Sequence, residues 1–494
     1  MAAPSIFNDV VGPVMRGPSS SHCAAALRIG KMCRDLMDGS IKRVLVEFDP
    51  EGSLATTHRS QGSDMGLFGG LLGWEAYDER LPESERYLET AGIGVTIDIR
   101  EIGAAHPNTY KVTLWSPDEE SHTLTALSTG GGMIQVIEID GQEVLMEGDC
   151  FETLVFLEGQ PFLEIKGESF EEPPPLSGVR YVRRLAPVLP ILTPRDVQVP
   201  FLTVRDMLRY NEGKGLELWE LALRYESARG RIPEETVYLK MEEIAHILRG
   251  AVRTGLKGTE YQDRLLGSQS VQFRNEMEKG RLVEGAVLNR IILYVSAIME
   301  VKSSMGVIVA APTAGSCGAM PGAVLGVCDA LGMSEDQAIK ALLGAGLMGV
   351  FISAHATFAA EVGGCQAECG SGACMAAASI VYLAGGTLAQ SLSAASIALQ
   401  NSLGMICDPI ANRVEAPCLG KNVLAATNAL SCANMALANY DHLIPLDEVI
   451  ETMDRVGAAI PSTLRCTNLG GLSITPTARE LESRLQSRQV FKSC

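Results

Sequence analysis

Three cysteines lie where a chain presents side chains instead of burying them in a helix. Cys365 sits in EVGGCQAECGSG, while Cys407 and Cys418 close the two ends of CDPIANRVEAPC, eleven residues apart with Pro409 and Pro417 beside them. Glycine and proline at such places stop a helix and fix a loop, which is how thiolates are offered to a metal centre. The spacing has neither the C-x-x-C pairs of a zinc ribbon nor the tight run of a bacterial ferredoxin. On spacing alone, buried packing cysteines are the better account. One more thiol, Cys494, ends the chain on a short polar tail; it either frays with the terminus or folds back onto a partner.

Other chemistry-bearing groups cluster in short motifs. GPSSSH presents the hydroxyls of Ser19, Ser20 and Ser21 next to His22 on a turn opened by proline, an arrangement that more often caps local backbone than binds a ligand. APTAGSCG sets Thr313 and Ser316 among glycines, where hydroxyls and close backbone amides can hold a carboxylate. Asn108, in HPNT, is a weaker candidate of the same kind.

The elements that position these groups change along the chain. Val95, Ile97 and Ile99 alternate with polar residues, as do Tyr110, Val112 and Leu114, the period of half-buried strands. Ile137 and Ile139 run into Asp140-Gly141 and then QEVLM, a hairpin signal. Residues 24–38 have helical spacing. Residues 1–165 are therefore expected to form a small α/β domain, and the charged, proline-rich stretch KGESFEEPPPLSG opens a linker at 166–199. From 200 to 480 the pattern is helical, with Ile244, Ile247, Leu248, Ala251 and Val252 on the 3.6-residue period, and 481–494 is a tail. Past residue 305 the helices are rich in Ala, Gly, Ser and Met, residues that let backbones approach closely around a centre. The fold class expected is α+β.

Composition bounds the function. The 494 residues carry 41 Lys+Arg against 59 Asp+Glu, a net charge of −18, which disfavours nucleic acid or an anionic membrane surface as partner. The most apolar run, 342–360, is interrupted by Ser353, His355 and Thr357 and reads as a buried helix, not a membrane span. No basic segment followed by an apolar core opens the chain. Thirteen cysteines without an export signal point to reduced thiols in the cytoplasm.

Several motifs together carry a resemblance. PTAGSCGAMPG (312–322), GGCQAECGSGACMAAA (363–378), ICDPIANRVEAPC (406–418) and GGLSITPTAREL (470–481) resemble the α part of the iron-sulfur-dependent L-serine dehydratases. GPSSSH (17–22), DPEGSLATTHRSQGSD (49–64) and HPNT (106–109) resemble the β part, and the order, β then α on one chain, is that of the fused forms. The resemblance implies a [4Fe-4S] cluster on Cys365, Cys407 and Cys418, with one iron open to substrate and no need of pyridoxal phosphate. The open iron would act as a Lewis acid on the β-hydroxyl of a small amino or hydroxy acid while a base removes the α-proton. It also implies that Cys494 caps the open iron until substrate displaces it, and that Ser19–Ser21, Thr313, Ser316 and Asn108 serve the substrate site. Cys317, Cys328, Cys369, Cys374, Cys432 and Cys466 fall outside the motif's needs and read as packing residues.

The chain departs from the family at the substrate side. Where the family reads KGHGTD this chain has RSQGSD, so Gln61 replaces the expected histidine, and a neutral amide cannot take a proton. His58, His22 and His355 are the imidazoles available as base, with an unperturbed pKa of about 6.5. Asn412 and Arg413, and Asn468 and Leu469, stand where smaller or different residues are usual, and Arg413 would pair either with a second acidic group on a substrate or with a structural carboxylate. The stretch 150–200 is too short for the regulatory amino-acid-binding domain of one branch of the family. The leading expectation is a dehydratase for L-serine; the alternatives are the same chemistry on another β-substituted acid, or a catalytically silent iron-sulfur relative. The apolar helical half and the sheet edge offer surfaces for a homodimer.

Overall fold

The alternating segments produce a six-stranded sheet. In the computed structural model, which describes residues 3–194, 196–261 and 264–490 with side chains to 485, its order is Gly94–Ile99, Arg43–Phe48, Thr109–Trp115, Ser121–Gly130, Met133–Ile139, Gln142–Met146. The first pair is parallel and the rest antiparallel. Asp140 and Gly141 take φ of 52° and 81° between the paired Ile139 and Gln142, the left-handed two-residue turn the sequence announces. One face of the sheet is sealed by helix Ala25–Leu36, whose Ile29, Met32 and Leu36 join Val44, Val46, Tyr110, Val112, Leu124 and Val136 in the core. Helix Ser63–Leu71 lies so close to the first helix that a Cβ on Gly70 would come within 2.1 Å of the Leu27 carbonyl oxygen.

Part of the expected linker is strand, since Lys166, Gly167 and Val179–Leu185 belong to a sheet. Phe151–Leu157 pairs on one side with Leu163–Gly167 and on the other with Val179–Leu185, a second antiparallel sheet. The arginine-rich segment VRYVRRL gives little strand signal of its own. Tertiary contacts supply it: Tyr181 stacks on Phe156 at 4.8 Å between ring centroids, and Arg183 pairs with Glu120 at 3.0 Å. This unit accordingly spans Ser19–Val197.

The second unit is helical and consists of residues 3–18 together with the chain from Gln198 onward. The sequence reading assigned residues 1–18 to the sheet domain, but here the Ser5 hydroxyl and the Ile6 N–H donate to the buried Glu226 carboxylate at 2.5 and 2.8 Å. Val14–Met15 then pairs antiparallel with Ile308–Val309. The apolar helix Glu335–His355 is long and apolar enough to cross a membrane by composition, yet 78% of its most apolar window is buried within the fold. Its Gly346 and Gly349 receive Ile6 and Val10, whose side chains lie 2.6 and 2.1 Å from where a Cβ would stand. The α+β class is as the sequence predicts.

Small residues set the helix spacing. Gly318, Gly322 and Gly326 face Met299, Val295 and Ile291 of helix Ala286–Ser303, and a Cβ on Gly322 would stand 2.8 Å from the Val295 backbone nitrogen. Gly250, in helix Glu234–Lys257, has nothing nearer than the end of Arg253 at 3.9 Å. Gly322→Ala should therefore destabilise by about 1–3 kcal/mol through overpacking. Gly250→Ala should stabilise by up to about 1 kcal/mol through helix propensity. Urea melts of the two variants that shift in the same direction would refute this account of the packing.

Candidate active site

The helical unit gathers its thiols by three loops. Helix Ala360–Gly363 ends at Gly364, φ 74°, where a Cβ would press to 2.9 Å from the Met405 carbonyl oxygen. Cys365 follows and opens the tight turn Gln366–Gly370 that runs into helix Ser371–Leu383. Gln366 fixes this turn to the second loop: its N–H donates to the Met405 carbonyl at 3.0 Å, its Oε1 accepts from Gly404 N–H at 2.8 Å, and its Nε2 donates to the Met453 carbonyl at 2.8 Å.

Cys407, on that second loop, donates its N–H to the Leu464 carbonyl at 2.9 Å and accepts from Cys466 N–H at 2.8 Å. Asp408 accepts from Leu472 N–H at 2.8 Å and pairs with Lys421 at 2.6 Å, and Lys421 also donates to the Ile406 carbonyl. Cys418 is the first residue of helix Cys418–Leu437, an end whose dipole favours a thiolate. One turn on, Asn422 Oδ1 accepts from Gly318 and Ala319 N–H while its amide donates to the Gly315 carbonyl. That brings in the third loop, where the Thr313 hydroxyl donates to Glu368 at 2.5 Å and lies 3.2 Å from Ser316 Oγ.

The result is a cage of acidic groups. The Sγ atoms of Cys365 and Cys407 and a carboxylate oxygen of Glu368 lie within 4.8 Å of one another. Cys365 is hydrogen-bonded to Cys369 and Cys407, which hold its thiol well below the usual range, with the charge of Lys421 adding to the effect. Each proton so donated is retained: hydrogen bonding to Cys365 pushes Cys369 and Cys407 well above the ordinary thiol range. Burial, then the charge of Cys365, does the same to Cys418. Burial and the neighbouring Cys365 raise Glu368 to about 8. Cys365, Cys407 and Cys418 are 2%, 3% and 4% exposed.

Two lysines face this cage. Burial works to lower the pKa of Lys421, but the charges of Cys365 and Asp408 carry it upward. Lys302 is fully buried and lowered by that burial, offset by Cys317, Cys418, Glu415 and Glu368. Its ammonium donates to the Val414 carbonyl, and among the described residues it has no carboxylate at ion-pair distance, since Glu415 is taken by Arg264. A buried cation without a counter-ion is costly. An anionic group resting on the thiolates would remove that cost, so the residues present fit a thiolate-bound iron-sulfur cluster in both donor softness and charge.

The remaining expected residues are placed as follows. Arg413 is half-buried in the loop between Cys407 and Cys418, where its carbonyl accepts from Glu415 N–H. His355 is exposed at the end of its helix, 3.0 Å from the Leu202 carbonyl oxygen. Cys494 lies outside the described residues. In the sheet unit, His22 Nδ1 is 3.0 Å from Ser19 Oγ and its Nε2 is 3.1 Å from Thr57 Oγ1. Because the Thr57 hydroxyl donates to the Ser53 carbonyl, it accepts from His22, so Nε2 carries the proton and Nδ1 accepts. Ser20 and Ser21 are buried beside it, and Asn108 Oδ1 accepts from the Ser53 hydroxyl. His58 Nδ1 lies 2.7 and 2.9 Å from the two oxygens of Asp64, with its ring against Phe48. Gln61 is buried at 3% exposure.

Sequence reasoning took Cys369 and Cys466 as packing residues and did not single out Glu368, Lys302, Lys421 or Asp408. Glu368 and Cys369 stand three and four residues after Cys365, a spacing that could have drawn attention. The burial of Lys302 leaves no mark in the sequence.

Residues 213–473 match the family described as serine dehydratase alpha chain, and the chain belongs to that family. Membership makes it a lyase. It is 37% identical over 285 residues to the probable L-serine dehydratase, alpha chain, of Bacillus subtilis, covering 58% of this chain and 95% of that one. It is 28% identical over 493 residues to L-serine dehydratase 1 of Escherichia coli, covering 93% and 96%. The L-serine dehydratase of Mycobacterium bovis is similar at 28% over 508 residues, covering 94% and 97%.

Two expectations follow from the buried groups. His22 is held near a pKa of about 4 by burial, against 6.5 for the free side chain. The unfolded chain therefore binds the extra proton first, and stability is lost as pH falls from 6.5 towards 4, by about 3 kcal/mol in total. In urea melts across that window His22→Gln should flatten the slope relative to wild type; parallel slopes would contradict a neutral His22. Lys302→Met should load severalfold less iron and sulfide on anaerobic reconstitution while unfolding at no lower urea concentration. Equal loading would refute the counter-ion role.

Proposed function

We propose that the chain removes water from L-serine, giving pyruvate and ammonia, with a [4Fe-4S] cluster held by Cys365, Cys407 and Cys418. The observation that carries this reading is the buried thiol cage with an uncompensated lysine behind it, in a chain whose full-length relatives are named L-serine dehydratases. When bound, the cluster supplies a Lewis-acidic iron that makes a hydroxyl a better leaving group.

The chain's own residues do the rest. His58 is the imidazole best prepared to act as base: Asp64 accepts from Nδ1–H, which fixes the ring and leaves the Nε2 lone pair to take the α-proton. His22 is less suited, since burial keeps it neutral and its Nδ1 already accepts from a serine hydroxyl. Thr313, Ser316 and the amides of their loop would hold the substrate carboxylate, with Ser19–Ser21 and Asn108 as further polar contacts. Loss of the α-proton and the β-hydroxyl leaves aminoacrylate, which tautomerises and takes up water to release ammonia and pyruvate. Cys494 remains the proposed cap of the open iron.

A second reading keeps this chemistry for a β-hydroxy acid with an additional acidic group, because Arg413 adds a cation to the loop between two of the cysteines. Anaerobically reconstituted protein should form pyruvate from L-serine, and Cys407→Ala should abolish it. His58→Asn should lose at least about 10²-fold in turnover with iron content unchanged. Iron and sulfide without serine turnover, but with turnover of a more acidic β-hydroxy acid, would favour the second reading; turnover independent of Cys407 would overturn both.

A further inference from the structure

Cys466 stands outside the three-thiol set, yet its thiol is hydrogen-bonded to that of Cys407. The backbone holds the two residues together. Cys407 and Arg465 form one rung of parallel pairing, closed by the Cys407 N–H to Leu464 and Cys466 N–H to Cys407 bonds at 2.9 and 2.8 Å. Paired backbones run about 4.8 Å apart, so the Cα of the next residue along falls near 6 Å from Cys407, inside the roughly 4.4–6.8 Å that a disulfide spans. Cys466 itself takes φ 63°, a left-handed conformation that a non-glycine residue keeps only where its surroundings hold it. The Thr467 hydroxyl closes the same turn on the Ser462 carbonyl at 3.1 Å. Unlike Cys407, Cys466 is only half-buried as a residue.

We propose that Cys407 and Cys466 form a redox pair that a peroxide converts to a disulfide and a thiol reductant restores. The proposal rests on Cys407 being a cluster ligand, since its consequence is to close that ligand off reversibly once iron has left. The step balances: one thiol sulfur attacks hydrogen peroxide, becoming a sulfenic acid as water departs. The second sulfur attacks it, the S–S bond forms, and the hydroxyl leaves as a second water. The two sulfurs together give up two electrons, and the peroxide is reduced to two waters. Pairing in this way stops Cys407 short of the sulfinic acid, from which a thiol reductant cannot recover it.

The test uses the full chain stripped of iron and sulfide, treated with hydrogen peroxide, alkylated, digested with chymotrypsin and sequenced by mass spectrometry. A Cys407–Cys466 linked peptide, lighter by two hydrogens than the sum of its parts, is expected in wild type. After dithiothreitol and reconstitution the wild type should regain its iron and sulfide. Cys466→Ser and Cys466→Ala, which should load like wild type before oxidation, should regain severalfold less after it. Cys407 found joined to Cys365, or as sulfinic acid in wild type, overturns the pairing. Variants that fail to load before any oxidant also overturn it, because Cys466 would then be a ligand. If untreated wild type takes up no iron and sulfide, the dehydratase reading fails, while the peptide map still decides the pairing.

Discussion

Acidic groups gathered away from water are the constraint on which the helical unit turns. Three thiols and a carboxylate converge where solvent does not reach, and such a group can carry negative charge there only if protons are shared, cations are supplied, or both. Both devices are present. Cys365 is kept ionisable at the expense of Cys369 and Cys407, and two lysines approach from different helices, one tied to Asp408 and one with no carboxylate of its own among the described residues.

The surrounding hydrogen bonds make this arrangement rigid. Gln366 and Asn422 each bind backbone groups of a different loop, so a single amide on either side sets where the thiol loops lie. Glycines make the approach possible: Gly364 takes a left-handed conformation against the Met405 carbonyl, and a Cβ on Gly315 would stand 2.7 Å from the Glu368 carboxylate. Such positions trade chain entropy for proximity. The same economy spaces the helices behind them, where glycine rows replace side chains against Val295 and Ile291.

What the sequence disclosed was mostly local. The Asp140-Gly141 hairpin was legible because two residues alone determine its turn, and the helices of the second half because periodicity survives without knowledge of neighbours. Strand Val179–Leu185 was hidden, since its stability comes from Phe156 and Glu120 and not from its own arginine-rich pattern. The three motif cysteines could be named, whereas the approach of Cys466 to Cys407 is a meeting of segments almost sixty residues apart. Lys302 shows the limit most plainly, because a lysine ending a helix looks solvent-facing until packing reveals otherwise. Gln61 is legible as a departure, but the hydrogen bond from His58 to Asp64 arises only once the chain has folded.

The division of the chain also orders events during its synthesis. Residues 19–197 are contiguous, so every contact within that unit can form once they have left the ribosome. The N-terminal segment emerges earlier and must wait, for Ile6 and Val10 fit against glycines at 346 and 349, and Val14 pairs with Val309. The segment made before the sheet unit is thus among the last to find its place, and the helical unit closes only after this distant piece of chain has been held in reserve across the whole sheet-bearing insertion.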